Sequence, residues 1–189
     1  MNLPNRLTLL RVGLSFVLIV LLMREGLAAK ISALGVFVLA CLTDLWDGRL
    51  ARRNGWVTDF GVLMDPIADK VLVLSAFVAF VQLQVAPAWM VVLIATREFL
   101  VTGVRLFAFG KGHVLPAEAA GKHKTVSQMV AISVTLLYLV LKEAAPAAGG
   151  GWIAWGPYGI WGIFLVTVAL TVTSGVSFLW RHRRLILSL

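Results

Sequence analysis

Asp44-Leu45-Trp46-Asp47-Gly48-Arg49-Leu50-Ala51-Arg52 and Gly61-Val62-Leu63-Met64-Asp65-Pro66-Ile67-Ala68-Asp69 are the two halves of the stretch around which this chain is organised. The 26 positions from Asp44 to Asp69 hold five of the nine acidic residues, and apolar runs press against them on both sides. An aspartate at mid-bilayer costs about 2.5–3.5 kcal/mol on insertion scales, so four carboxylates in such surroundings require neutralisation. Asp44 and Asp47 are three residues apart, and Asp65 and Asp69 are four apart. On helices, each pair shares one face. The short connection predicts that these helices are antiparallel neighbours whose carboxylate faces meet.

The surrounding composition is that of a membrane protein. The 189 residues are 60% hydrophobic and 14% charged, with mean hydropathy +0.92. A soluble domain is about 45–50% apolar and roughly 25% charged. Hydrophobic runs recur to the end and no small-residue cleavage site follows the first, which argues against a cleaved leader. The single Cys41 excludes an internal disulfide framework and reads as a small buried hydrophobe. In a soluble protein the net charge of +8 would suggest nucleic acid. Here it is read as an orientation signal and a preference for phosphate-bearing ligands, with no nucleic-acid partner expected.

A spanning helix needs about 20 mostly apolar residues. The chain predicts six such helices, near 7–24, 31–52, 60–84, 87–110, 120–142 and 154–180, in one membrane domain covering 1–189. Arg24-Glu25-Gly26, Asn54-Gly55, Pro87, Gly110-Lys111-Gly112 and Gly149-Gly150-Gly151 mark the breaks. If the N-terminus is cytoplasmic, fourteen Lys and Arg residues fall on that side and three (Arg24, Lys30, Lys142) on the other. That asymmetry predicts both termini and the polar residues on the cytoplasmic side of the membrane. Trp89, Trp152, Trp155 and Trp161 then form an interfacial belt on the far side.

Clustered carboxylates with incomplete protein coordination suit Mg²⁺ or Mn²⁺, a substrate phosphate completing the shell. His113, His123 and His182 are scattered, so zinc is not favoured. Gly48 and Ala51 follow Asp44 and Asp47 at i+4, and Gly61, Asp65 and Asp69 form one row. Small residues there allow either close helix packing or room for a ligand's phosphates. Arg52, one turn beyond Gly48, is placed to hold a diphosphate. Asp59 reads as an acidic loop residue and stays outside the site, and Lys70, next to Asp69, is expected to point elsewhere.

The motif Asp44-x2-Asp47-Gly48-x2-Ala51-Arg52-x8-Gly61-x3-Asp65-x3-Asp69 resembles the signature of the CDP-alcohol phosphatidyltransferase family at all eight fixed positions. The N-terminal Leu3-Pro4-Asn5-Arg6-Leu7-Thr8, the Arg97-Glu98-Phe99 stretch with Arg105, and Gly121-Lys122-His123-Lys124-Thr125-x2-Gln128 are similar to its bacterial phosphatidylglycerophosphate synthase branch. The resemblance implies a six-helix all-α fold, a homodimer in membrane lipid, and two Mg²⁺ or Mn²⁺ ions on Asp44, Asp47, Asp65 and Asp69. It implies Asp69 as general base, and Asn5, Thr8, Gly48, Arg52, Thr58 and Gly61 as the CDP-lipid site. The implied reaction joins CDP-diacylglycerol to sn-glycerol 3-phosphate and releases CMP. Arg105, Lys122, Lys124 and Arg97 are the candidates for the acceptor phosphate, although Arg97 could instead pair with Glu98 or a site carboxylate.

Two alternatives accompany this reading. Another acceptor, such as phosphatidylglycerol, inositol phosphate or serine, would use the same aspartates and differ around Arg105 to Lys124. A divalent-cation transporter would carry polar residues through the far halves of its helices, which here are almost uncharged.

Overall fold

The computed structural model describes the backbone of residues 3–54, 59–111, 119–144 and 151–183, and the side chains of 7–44, 64, 66–111, 121, 123–144 and 155–183. Six helices run through them: α1 Leu3–Met23, α2 Leu27–Asn54, α3 Asp59–Gln82, α4 Ala88–Gly110, α5 Ala119–Ala144 and α6 Gly151–Arg181. Asp59, expected in a loop, is the first residue of α3. Gly26 turns the chain after α1 with φ +95°, a conformation glycine adopts without steric cost. The buried Lys30 closes that helix end. Its Nζ donates to the carbonyls of Leu22 at 2.6 Å and Arg24 at 2.8 Å, acceptors that a helix C-terminus otherwise leaves open. Pro87 is the N-cap of α4, where a missing N–H costs nothing.

Helix packing closes a ring in the order α2–α1–α3–α4–α6–α5, and α3 also touches α5 across it. The expectation that α2 and α3 are direct neighbours needs correction. Helix α1 lies against both, and no comparable α2–α3 packing occurs among the described residues. A short connection ties only the ends of two helices. Along their lengths the apolar contacts go to α1, which contributes the fully buried Leu18 and Leu22.

The core draws on all six helices and includes Leu22, Phe37, Phe77, Phe80, Ile94, Ile132 and Phe164. Phe164 meets Phe77 and Phe80 edge-on, with ring centroids 5.3 and 6.4 Å away. Fully buried Ala33, Ala40, Ala68, Ala76 and Ala131 let the backbones approach closely. The outer surface is equally apolar: Phe16, Val92, Phe99, Val126 and Val176 are each at least 60% exposed. Apolar surface of that extent is covered by lipid. Three helices contain spans long and apolar enough to cross a membrane, Leu27–Asp44, His123–Ala144 and Trp155–Arg181. Helix α4 carries Arg97, Glu98 and Arg105 within its length, and all three face inward at the site. The protein is a multi-pass membrane protein.

Gly156 on α6 packs against the Tyr138 ring, where a Cβ would lie 2.8 Å from Cδ2 and 3.0 Å from Cζ. A Cβ at Gly159 would meet nothing within 4 Å. Gly156→Ala is therefore expected to melt below Gly159→Ala. Overpacking costs about 1–3 kcal/mol, or roughly 2–10 °C for a chain of this size. Thermal unfolding of both variants in one detergent checks this, because the gain in helix propensity is common to the two.

Candidate active site

Most of the buried charged residues gather at one end of the ring, Lys30 apart. Thr8 and Arg11 come from the start of α1, Thr43 from late α2, Arg97 and Glu98 from the middle of α4, Lys124 and Gln128 from early α5 and Ser174 from late α6. Asp69 and Lys70 join them from the first half of α3. Alternating helix direction brings these segments to one side.

On the α1–α2 side, Arg11 is 1% exposed and its Nη1 lies 2.7 Å from Oδ1 of Asp44. The Asp44 side chain is 43% exposed, so the ion pair orients the carboxylate without enclosing it. A guanidinium this deeply buried requires such a partner. The sequence reading counts Arg11 among the cytoplasmic-side charges and gives it no role in the site. The available signal was an arginine followed by an unbroken apolar run.

On the other side, a cavity of about 500 Å³ opens between α3, α4 and α5. Its polar lining is Asp69, Lys70, Arg97, Glu98, Arg105 and Lys124. The cavity therefore brings Asp69 together with three of the four residues proposed for the acceptor phosphate. Asp69 has no hydrogen bond or ion pair among the described residues. Lys70 corrects an expectation, because it shares the cavity wall with Asp69. Its Nζ reaches back to the Pro66 carbonyl at 3.3 Å and lies 3.7 Å from Oε2 of Glu98. Adjacent helical residues diverge at Cβ, and the long lysine stem spans the difference.

The cations are held in different ways. Lys124 donates to Oε1 of Glu98. Arg97 donates to the same oxygen through Nη1 at 3.3 Å and to Oγ of Ser174 through Nη2 at 2.9 Å. Pairing with Glu98, one of the readings open for Arg97, is observed at the cavity wall. Gly175 makes room for it, since a Cβ there would sit 2.6 Å from Arg97 Cγ. Arg105 differs. Its guanidinium lies over the Phe178 ring, 5.3 Å from the centroid, and its buried Nε has no hydrogen-bond partner among the described residues. A buried donor without an acceptor is costly, and an anion in the cavity would satisfy it.

Glu98 and Gln128 went unassigned in the sequence reading. Glu98 could have been found as a carboxylate inside an apolar helix, and Gln128 as the residue one turn after Lys124.

For the remaining candidates the backbone sets the placement. Asn5 lies on α1, Asp47, Gly48 and Arg52 on α2, Gly61 and Asp65 on α3, and Lys122 on α5. Their side chains, and Thr58 altogether, lie outside the described residues. The carboxylates that are described suit a hard divalent cation, being oxygen donors that are half-exposed or open to a cavity.

The chain is similar to known proteins over most of its length. A family model described as CDP-alcohol phosphatidyltransferase matches residues 1–173. The chain is 39% identical over 188 residues to the probable phosphatidylglycerophosphate synthase of Mycobacterium tuberculosis (strain ATCC 25618 / H37Rv), covering 97% of this chain and 82% of that one. It is 40% identical over 149 residues to the CDP-diacylglycerol–glycerol-3-phosphate 3-phosphatidyltransferase of Bacillus subtilis (strain 168), covering 72% and 77%. A protein of the same name from Rickettsia typhi is 41% identical over 137 residues, covering 72% and 76%. On the match of residues 1–173 and these identities, the chain belongs to the CDP-alcohol phosphatidyltransferase family.

Proposed function

We propose that the protein transfers the phosphatidyl group of CDP-diacylglycerol to sn-glycerol 3-phosphate, giving phosphatidylglycerol phosphate and CMP. The observation that carries the acceptor is the cavity beside Asp69, lined by Lys70, Arg97, Arg105 and Lys124. Its buried Arg105 Nε lacks a protein acceptor among the described residues. A phosphate-bearing alcohol seated there would put its anion on the basic wall and a hydroxyl toward Asp69. The names of the relatives from Mycobacterium tuberculosis and Bacillus subtilis support the same acceptor.

In this reading Asp44, Asp47, Asp65 and Asp69 hold two divalent ions, Mg²⁺ or Mn²⁺, with Arg11 orienting Asp44. When bound, the ions offset charge that develops on the diphosphate and on departing CMP. Asn5, Thr8, Gly48, Arg52, Thr58 and Gly61 hold the CDP-lipid. Asp69 takes the proton from the acceptor hydroxyl. The hydroxyl oxygen bonds to the phosphorus that carries the diacylglycerol, and the bond from that phosphorus to the CMP oxygen breaks. Arg105 and Lys124, with Arg97 and Lys122, bind the acceptor phosphate. The protein works as a single-domain homodimer in a bacterial inner membrane, with site and termini in the cytoplasm. The charge asymmetry of fourteen against three supports that orientation, and family membership supports the dimer.

Purified protein given CDP-diacylglycerol and Mg²⁺ or Mn²⁺ is expected to release CMP with glycerol 3-phosphate and not with serine, inositol phosphate or phosphatidylglycerol. Chelation should stop release and either ion restore it. Faster release with another acceptor would refute the assignment.

Asp69→Asn is expected to lower turnover by about 10²- to 10⁴-fold, the range for a general base, with CDP-lipid binding retained. Asp65→Asn should weaken CDP-lipid binding as well. Near-normal turnover in Asp69→Asn would remove the base assignment.

Arg105→Ala is expected to raise the glycerol 3-phosphate KM roughly ten- to a hundredfold, the loss of one charged hydrogen bond. The CDP-lipid KM should stay within about twofold. An unchanged acceptor KM would place the acceptor outside this cavity.

A further inference from the structure

One carboxylate holds three of the four cations on the cavity wall. Oε1 of Glu98 accepts from Arg97 Nη1 at 3.3 Å, from Gln128 Nε2 at 3.2 Å and from Lys124 Nζ. Oε2 faces Lys70 Nζ at 3.7 Å. These partners come from α3, α4 and α5, and Arg97 extends the network to Ser174 on α6. Glu98 is only 3% exposed, behind the cations that it gathers. Arg105, the remaining cation, is not among its partners and rests on Phe178.

Three cations around one carboxylate leave a net charge of +2 in a poorly hydrated site. A phosphate monoester carries about −1.5 to −2 at neutral pH. A neutral alcohol would leave the positive excess uncompensated, and a phosphodiester would offset only part of it. The direction of each donor matters as much as the total. Without the carboxylate, Lys70, Arg97 and Lys124 would repel one another and move apart.

We propose that Glu98 is the positioning residue of the acceptor subsite: its buried carboxylate fixes Lys70, Arg97 and Lys124 at the cavity wall and trims their charge to match a phosphate-monoester dianion. It touches no substrate and acts through the three cations. The proposal rests on the cavity being the acceptor site, as put forward above.

Glu98→Gln keeps the shape of the side chain and removes its charge. The glycerol 3-phosphate KM is expected to rise about tenfold or more, with the CDP-lipid KM within about twofold. Glu98→Asp, which keeps the charge on a shorter stem, should fall between Glu98→Gln and the unaltered protein. In a Lys124→Met background, Glu98→Gln should add less than about threefold to the acceptor KM, because its route through Lys124 is already gone. Removing the carboxylate also removes a repulsion on the incoming phosphate. A lower acceptor KM would therefore show that Glu98 acts only as an opposing charge, and would overturn the proposal. Equal rises in both KM values, or the same increment in both backgrounds, would assign a structural role and overturn it too. If Glu98→Gln does not accumulate folded, Gln128→Leu removes one neutral donor from the same oxygen. It should raise the acceptor KM alone by about threefold, and an unchanged or unselective KM counts against the proposal. Arg105→Ala separates the two levels. If it leaves the acceptor KM unchanged, the pocket assignment falls and the Glu98 proposal with it. If Arg105→Ala behaves as expected and the Glu98 variants do not, only the positioning role fails.

Discussion

The cost of charge in an apolar surrounding governs this molecule. Removing a carboxylate or an ammonium from water costs several kcal/mol even after relaxation, and only close, well-directed partners offset it. The structure meets that constraint twice at one end of the ring. Asp44 is tied to the buried Arg11 across α1 and α2. Glu98 is surrounded by Lys70, Arg97 and Lys124 across α3, α4 and α5. At the other end the buried Lys30 closes a helix terminus through backbone carbonyls.

The two solutions differ in what they leave over. The Arg11–Asp44 pair is balanced, and its carboxylate remains 43% exposed, so it can still ligate. The Glu98 cluster is unbalanced toward positive charge, and Arg105 adds a buried donor with no acceptor among the described residues. One side is thus suited to a cation and the other to an anion. Asp69 stands on the wall of the basic cavity, an acid among its cations.

The helix count and the membrane setting were legible because they depend on composition and on breaks such as Gly26 and Pro87, which act locally. The carboxylate motif was legible because fixed spacing on a helix fixes a face. Helix neighbours were less so. The short 55–58 connection suggested that α2 packs on α3, yet nothing local shows that Leu18 and Leu22 bring α1 against both. Side-chain reach was also hidden. Lys70 was placed away from the site by its Cβ direction, while its flexible stem carries Nζ back to Glu98. Glu98 was named only as a possible partner of Arg97, because its other partners are distant in sequence. Lys70 and Lys124 lie 28 and 26 residues away in sequence, and only tertiary packing makes them neighbours.

That packing bears on why α1 stands between the two carboxylate helices. If α2 and α3 interdigitated along their lengths, four aspartates would crowd one seam with no counter-charge inside it. The insertion of α1 separates the helices and delivers Arg11 to Asp44 at the same stroke. Helix α3, freed from α2, turns its Asp69–Lys70 edge toward α4 and α5, where Glu98 receives Lys70. The ring order α2–α1–α3–α4–α6–α5 is therefore itself an electrostatic arrangement. It leaves a half-exposed carboxylate, Asp44, on one flank while the adjoining flank stays positive enough to hold a phosphate.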